Sequence, residues 1–405
     1  MTASAATPFA FADFRRLQFA RVAAIVATQA QGTAVAWDVL QRTHRPLDLG
    51  YVGLAQFAPI AGLSLVAGHA VDRFDRRKLL ALVYGVYALV GLALFAYARS
   101  GAKPVWPIYA ILFCDAIARS FGQPAGAALL PEIVPSEAFE RAVAWSSSLW
   151  QASTIAGPIV GGVLMTAASP SSVYVLAAVG SAAAALRVAR IEHRPARMKE
   201  RGVSLESVFA GVRYVWSHPI ILGSISLDLF AVLLGGATAL LPVFAELLHT
   251  GSWGLGLLRA APGVGAALSG VYLAYRPLAR RAGATMFACV AGFGLATIGF
   301  AESRSFALSL ALLFVAGATD MVSVVVRQTL LQIETPADMR GRVSAVNLVF
   351  VGASNELGEF ESGLTGQWWG ARTATLVGGI GTLVVVGAGM ALFPSLRKVD
   401  KLSAR

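Results

Sequence analysis

Residues 79–98 read LLALVYGVYALVGLALFAYA, a run of 20 positions without a charged side chain. An α-helix rises about 1.5 Å per residue, so about 20 apolar residues cross the roughly 30 Å hydrocarbon core of a bilayer. Residues 282–301 form a second run of 20, and residues 373–396 form a run of 24. These runs predict an all-α membrane protein.

The composition agrees with this class. Hydrophobic residues make up 56% of the chain and charged residues only 14%, with a mean hydropathy of +0.66, which is far from the balance of a soluble domain. Continued along the chain, the same criterion predicts twelve spans, near residues 17–42, 51–72, 78–98, 106–130, 140–168, 172–191, 219–246, 253–275, 283–302, 305–332, 342–369 and 373–395.

The loop charges predict the orientation of these spans. With both termini on one side, that side holds 23 Lys and Arg residues and the other side 6, so the positive-inside rule places both termini in the cytoplasm. The net charge of +11 then comes from the basic residues of the cytoplasmic loops. Nucleic acid is not expected as a partner, because no basic soluble domain is present. The apolar run after Arg15 and Arg16 is too long for a cleavable signal.

An internal repeat divides the chain in two. Residues 129–145 (LLPEIVPSEAFERAVAW) resemble residues 330–346 (LLQIETPADMRGRVSAV) at an offset of 201, close to half the chain length. We therefore predict an N-terminal six-helix bundle over 1–191, a cytoplasmic linker over 192–218 and a C-terminal six-helix bundle over 219–405.

Three motifs carry a resemblance to a known family. Residues 68–78, GHAVDRFDRRK, resemble the loop signature that major facilitator superfamily transporters carry between their second and third helices, with Asp75 where glycine is usual. Residues 153–162, STIAGPIVGG, resemble the antiporter motif of exporters in that superfamily. Residues 118–135, ARSFGQPAGAALLPEIVP, resemble its drug:proton antiporter branch, in particular the enterobactin exporter and transmembrane secretion effector group.

This resemblance implies a fold and a function. The implied fold has twelve transmembrane helices in two pseudo-symmetric six-helix bundles. The implied function is secondary active export of drug-like compounds or a siderophore across the cytoplasmic membrane by proton antiport. We expect a monomer in the lipid bilayer, with no cofactor and no enzymatic activity.

The loop signature suggests a conformational latch. Its members are Gly68, Asp72, Arg73, Arg76 and Arg77, followed by Lys78. The resemblance implies that they hold the cytoplasmic ends of the two halves through ion pairs with neighbouring helix ends. The alternative is ordinary positive-inside anchoring.

The antiporter-like motif combines Gly157, Pro158, Gly161 and Gly162. Proline weakens regular helix hydrogen bonding and glycine removes side-chain bulk from one face. The motif therefore indicates either a bend that moves during transport or a tight helix contact with no moving part.

Charged residues within spans are costly in hydrocarbon and are functional candidates. Asp115 and Arg119 share a face of the fourth span, while Asp228 and Asp320 lie near the middle of the seventh and tenth. The resemblance implies that the fourth, seventh and tenth helices line a central cavity, where these carboxylates would couple protons. The alternatives are static pairs, Asp115 with Arg119 and Asp320 with Arg327.

Residues 354–363, SNELGEFESG, place three more acids in the eleventh span. Glu356 and Glu359 share a 60° sector of the helix whereas Glu361 points away, and Glu359 occupies the repeat position of Pro158. We predict a proton or cation site at Glu356 and Glu359. Hydrogen bonding between helices is the alternative.

Other functions have less support in the sequence. No G-x-x-x-x-G-K-[ST] loop is present for ATP coupling, and the five histidines are scattered without a metal or catalytic spacing. Export of a cation or divalent metal through the buried acids remains an alternative, as does a membrane sensor or scaffold that does not transport.

Overall fold

The computed structural model describes residues 7–192, 205–276, 278, 280–336 and 339–400, and for residues 64–69, 72 and 205–209 only the backbone. Within these residues the secondary structure is helical throughout, without a strand. The chain forms two compact units, Met1–Arg42 with Ala58–Val203 and Thr43–Phe57 with Ser204–Arg405. The segment Thr43–Phe57 therefore belongs to the second unit, although the sequence places it in the first half.

Six long helices precede the linker. They are α1 (Ala12–Thr43), α2 (Pro46–Arg73), α3 (Arg76–Arg99), α4 (Trp106–Ile133), α5 (Ser136–Ala167) and α6 (Pro170–Ala189). Proline begins or nearly begins α4 and α6, where its missing N–H costs no hydrogen bond. Phe14, Leu17, Leu80, Leu129 and Val188 are among the residues that form a core at one end of this unit.

The second unit contains the remaining helices. They are α7 (Leu205–Ser217), α8 (Pro219–Gly235), α9 (Leu241–Leu247), α10 (Gly251–Tyr275), α11 (Ala282–Glu302), α12 (Phe306–Ile333), α13 (Arg340–Trp369), α14 (Ala371–Leu392) and α15 (Pro394–Arg397). The part of the predicted linker that the structure describes thus includes a helix, α7, which packs on α8 and α13.

The predicted seventh span is divided between α8 and α9. Helix α8 ends at Gly235, Gly236 is extended, and a short 3-10 turn over Thr238–Leu240 leads into α9. Two adjacent glycines lower helix propensity at the break, and Pro242 in the first turn of α9 supplies no N–H. The break lies seven residues after Asp228.

Seven helical segments in the described part of the chain are long and apolar enough to cross a membrane. They comprise α3, α6, α8 with α9, α10, α11, α12 and α14. The other five predicted spans correspond to α1, α2, α4, α5 and α13. These five carry more of the polar and charged residues that the sequence singled out.

Candidate functional site

An ion cluster lies inside the second unit. Arg327 Nη1 of α12 donates a hydrogen bond to Asp228 Oδ2 of α8, and both side chains are buried, with 3% and 6% of their surface exposed. Asp320, on α12, interacts electrostatically with both members of this pair. The sequence alternative that paired Arg327 with Asp320 is not what the structure shows, because the hydrogen bond crosses to Asp228.

A small cavity adjoins this cluster. Asp228 and Asp320 line it together with Val232, Phe293 and Ser323. The Ser323 hydroxyl is buried without a hydrogen-bond partner among the described residues, and so is Nε of the neighbouring Arg327. Buried polar atoms normally have partners, so the cavity presents an unused hydroxyl, that of Ser323, beside two carboxylates.

The charges of the cluster do not cancel. Two carboxylates face one guanidinium, so the cluster carries a net charge of about −1 when both acids are ionised and becomes neutral when one takes a proton. A net charge far from bulk water is strongly disfavoured. The arrangement is therefore one in which proton binding removes an electrostatic cost.

Hydroxyl groups from two helices hold the broken end of α8. Ser362 of α13 donates to the Gly236 carbonyl at 2.7 Å, and Thr382 of α14 donates to the Ala231 carbonyl at 3.1 Å. The Gly236 carbonyl follows the last residue of α8, so it has no partner within that helix and must be satisfied elsewhere in an apolar medium. The Ala231 carbonyl lies one turn before the end of α8, and its bond to Thr382 holds α14 against α8 beside the break. These bonds stabilise the break close to Asp228.

The acids of α13 lie in a different environment. Arg259 of α10 interacts electrostatically with Glu359, and a Cβ placed on Gly53 of α2 would lie 2.9 Å from the Glu359 Cβ and 3.2 Å from its Oε2. Glu359 thus packs closely against the N-terminal part of α2, which belongs to the second unit. Asp228 and Asp320 instead interact with Arg327 and with each other.

Glu356 and Glu361 differ from Glu359 in their surroundings. The Glu356 carbonyl oxygen would lie 3.1 Å from a Cβ placed on Gly53, and the Glu356 side chain is half-buried. The Glu361 side chain is half-buried beside Ser362 and Thr365, whose hydroxyls donate to the carbonyls of Gly236 and Glu361. The role of Glu356 and Glu359 as a proton or cation site stays a prediction.

A second buried acid lies in the first unit. Asp115 of α4 is 6% exposed, and its Oδ1 has no hydrogen-bond partner in the described part of the chain. Arg119, one turn along α4, interacts with it electrostatically, and Tyr87 of α3 interacts with both. Each unit therefore holds a buried carboxylate near an arginine.

The loop signature joins helix ends within the first unit. Arg76 Nη1 donates to Glu132 Oε1 at the end of α4 and to the Ala128 carbonyl at 3.3 Å. Arg77 Nη1 donates to the Ile191 carbonyl after α6 at 2.5 Å, while Arg73 is exposed. The side chains of Gly68 and Asp72 lie outside the described residues. The latch between the two halves stays a prediction.

Asp75 has a clear local role. It caps α3 by accepting hydrogen bonds from the backbone N–H groups of Arg77 at 3.0 Å and Lys78 at 3.2 Å. Its φ of −59° is open to any residue, so this turn does not need the glycine that is usual in the signature. Asp75 in place of the usual glycine therefore replaces a flexible turn residue with one that caps α3.

The antiporter-like motif packs on α1. A Cβ placed on Gly157 would lie 2.4 Å from the Gln29 Cβ, and one on Gly161 would lie 2.9 Å from the Ala30 carbonyl oxygen. Pro158 and Gly162 are also buried. Close packing is therefore shown, whereas movement at this contact stays a prediction.

Sequence reasoning missed three partners in the second unit, Arg259, Ser362 and Thr382. Arg259 was only one of four basic residues within spans, and the GLLRAAPG sequence around it was the available signal. Ser362 and Thr382 carry no charge and gave no signal of their own. The structure brings Asp228 and Asp320 together and keeps Asp115 with Arg119 in the first unit.

Comparison with known proteins identifies the family. The Major Facilitator Superfamily profile matches residues 17–359. The chain belongs to this superfamily. The predicted major facilitator fold, twelve membrane-spanning helices in two six-helix bundles, is thereby confirmed, as is the prediction that the protein is a transporter and not an enzyme.

Two curated relatives are named as enterobactin exporters. The enterobactin exporter EntS of Citrobacter koseri is 27% identical over 386 residues, which cover 95% of this chain and 92% of that protein. EntS of Shigella boydii serotype 18 is 26% identical over 372 residues, covering 92% and 86%. The recognition of the enterobactin exporter group from the sequence motifs is confirmed.

Solved structures share the fold at low sequence identity. A mutant of the nucleoside transporter NupG superposes with a TM-score of 0.76 at 11% identity, covering 94% of this chain and 100% of that one. A bacterial homologue of the iron transporter ferroportin superposes with a TM-score of 0.69 at 15% identity, covering 95% and 98%. These likenesses show the fold alone.

Proposed function

We propose that this multi-pass membrane protein exports a siderophore or a similar small molecule across the cytoplasmic membrane in exchange for protons. The relatives named as enterobactin exporters, aligned over more than nine-tenths of this chain, support the substrate class. The cluster of Asp228, Asp320 and Arg327 is the observation that carries the proton coupling.

The coupling follows from the charge of the cluster. Asp228 is hydrogen-bonded to Arg327, so its charge is compensated, whereas Asp320 supplies the second carboxylate without the hydrogen bond. Asp320 is therefore the group that takes the proton when the cluster must become neutral. Release of that proton on the other side of the membrane would complete the exchange as access to the site alternates.

The alternative of divalent-metal export is less compatible with this cluster. A guanidinium hydrogen-bonded to Asp228 repels a second cation at the same carboxylates. A sensor that does not transport would need only the buried Asp228–Arg327 pair to hold α8 and α12 together, so it would not explain the second carboxylate, Asp320. Proton-coupled transport accounts for both acids and for the arginine bonded to Asp228.

The test is transport in inside-out vesicles with and without an imposed pH gradient, with enterobactin and a lipophilic cationic dye as probes. Asp320→Asn should lose gradient-driven accumulation of the transported probe while keeping downhill exchange. Glu361→Gln is the matched control, because it removes a half-buried carboxylate that lies outside the cluster of Asp228, Asp320 and Arg327. Full gradient-driven transport by Asp320→Asn would refute the coupling role, and failure of the wild type to move either probe would refute export of these classes.

A further inference from the structure

A groove opens at one end of the first unit, away from the buried acids. It has a volume of about 570 Å³ and lies between α1, α5 and α6. Its apolar walls include Phe9, Phe19, Val22 and Leu149. Helix ends at which aromatic and basic residues meet are typical of the membrane–water interface.

Three arginines line the same groove. Arg15, Arg16 and Arg187 all border it. Arg16 forms ion pairs with Asp13 at 2.8 Å and Glu192 at 3.0 Å, so its charge is compensated. The two other arginines have no carboxylate partner within the part of the chain that the structure describes.

The two uncompensated arginines are held in place by other contacts. Arg15 donates through Nη1 to the carbonyls of Phe9 at 2.6 Å and Ala10 at 3.1 Å, which leaves its other nitrogens able to bind an acceptor. Arg187 stacks over the Phe19 ring at 4.9 Å from its centroid. The groove thus offers two fixed positive charges directly beside an apolar wall.

We propose that this groove binds an anionic phospholipid of the cytoplasmic leaflet, with the phosphate at Arg15 and Arg187 and an acyl chain along Phe19, Val22 and Leu149. Arginine is well suited to phosphate because its planar fork donates two hydrogen bonds at once. The loop charges predict that this end of the chain is cytoplasmic, and basic pockets between helices on that side suit anionic headgroups. A soluble phosphate would leave the apolar wall unused, which favours a lipid.

The experiment measures lipid binding to the purified full-length protein by native mass spectrometry. Phosphatidylglycerol and phosphatidylcholine with identical acyl chains are the probes. The wild type should prefer phosphatidylglycerol, and the double variant Arg15→Gln with Arg187→Gln should bind it about a hundredfold more weakly, since each of the two charge-assisted contacts is worth about a factor of ten in affinity. Binding of phosphatidylcholine should change little.

The matched control is Arg190→Gln, which removes the same charge three residues further along the chain from Arg187, at an exposed position outside the groove. It should keep the preference. A similar pair tests the apolar wall, because Phe19→Ala should weaken phosphatidylglycerol binding whereas Leu186→Ala should not, since Leu186 is also exposed (62% against 50% for Phe19) but lies outside the groove.

Three results would overturn the proposal. One is an equal preference for phosphatidylglycerol in the wild type and the double variant. Another is an equal loss in Arg190→Gln, which would indicate general charge attraction. The third is displacement of the bound lipid by glycerol phosphate at similar concentration, which would show that the site recognises only the phosphate and that the acyl chain does not contribute to binding. Monodisperse elution of each variant in gel filtration establishes that it is folded.

Discussion

Asp228 and Arg327 form a pair whose two members depend on each other. Removing one partner of a buried ion pair leaves a charge without compensation and typically costs about 3–5 kcal/mol. Arg327→Gln should therefore lower the thermal stability of the purified protein in detergent, because Asp228 and Asp320 then lack a counter-charge. Asp228→Asn should lower it as well, because Arg327 then loses its hydrogen-bonded carboxylate and keeps only the electrostatic interaction with Asp320. The double variant should recover part of the Arg327→Gln loss, because only one carboxylate then remains in the cluster.

The comparison with Asp320→Asn makes this prediction specific. Asp320 is the second carboxylate of the cluster, so its removal leaves the Asp228–Arg327 hydrogen bond intact and should change stability little. Thermal unfolding followed by tryptophan fluorescence separates the two cases. Equal destabilisation by Asp228→Asn and Asp320→Asn would contradict the pairing.

The partner of Arg327 shows what a sequence can predict about a single residue. Helical spacing places Asp320 two turns before Arg327 on a similar face, but seven residues span about 10 Å along a helix, beyond a direct ion pair. Asp228 lies 99 positions earlier in the chain. Only the packing of α8 against α12 brings it close, and no local pattern records that packing.

The Gly157 contact is the feature of α5 that a substitution can test. A methyl group at Gly157 would meet the Gln29 Cβ at 2.4 Å and the Val26 carbonyl at 3.0 Å, so α1 and α5 would have to separate. Overpacking of this kind costs about 1–3 kcal/mol. Gly157→Ala should lower thermal stability, whereas Gly126→Ala in α4, where nothing lies within 4 Å, should not.

The same pair of variants distinguishes the two interpretations of the motif. If the contact only holds α1 and α5 together, Gly157→Ala should reduce stability and transport in proportion to the amount of folded protein. If the contact moves, transport per folded molecule should fall as well. Transport rates normalised to monodisperse protein provide that measurement, and unchanged stability in Gly157→Ala would contradict the close packing.

Elements were predictable to different degrees. The apolar run at 79–98 predicts α3 nearly as observed at Arg76–Arg99. A segment that crosses a bilayer must form all its backbone hydrogen bonds within itself, so the helix extends over the whole apolar run. The break between α8 and α9 was not predicted: Gly235 and Gly236 lower helix propensity there, but the hydroxyls of Ser362 and Thr382 that stabilise the break come from other helices. In the sequence Asp75 is only a departure from the usual turn glycine, whereas its capping role follows from the backbone of α3.

The repeat is visible in the packing of the whole molecule. Gly157 of α5 approaches α1, and its counterpart at an offset of 201, Gly358 of α13, approaches α8 with the Leu233 carbonyl 3.1 Å from a Cβ placed there. In each half the fifth long membrane helix thus meets the first. The sequence repeat predicted this correspondence because homologous halves share their helix contacts.

The orientation of the whole chain is the last quantity that the sequence predicts. With both termini in the cytoplasm, the loop between α3 and α4 lies outside and the loop between α4 and α5 lies inside. Cys114 and Cys289 are first replaced by serine, and a single cysteine is then introduced as Ser100→Cys or Ser136→Cys, both at exposed positions. In intact cells a membrane-impermeant thiol reagent should label Ser100→Cys and spare Ser136→Cys, whereas permeabilised cells should label both. The opposite pattern in intact cells would invert the topology, and with it the leaflet assigned to the groove at Arg15 and Arg187.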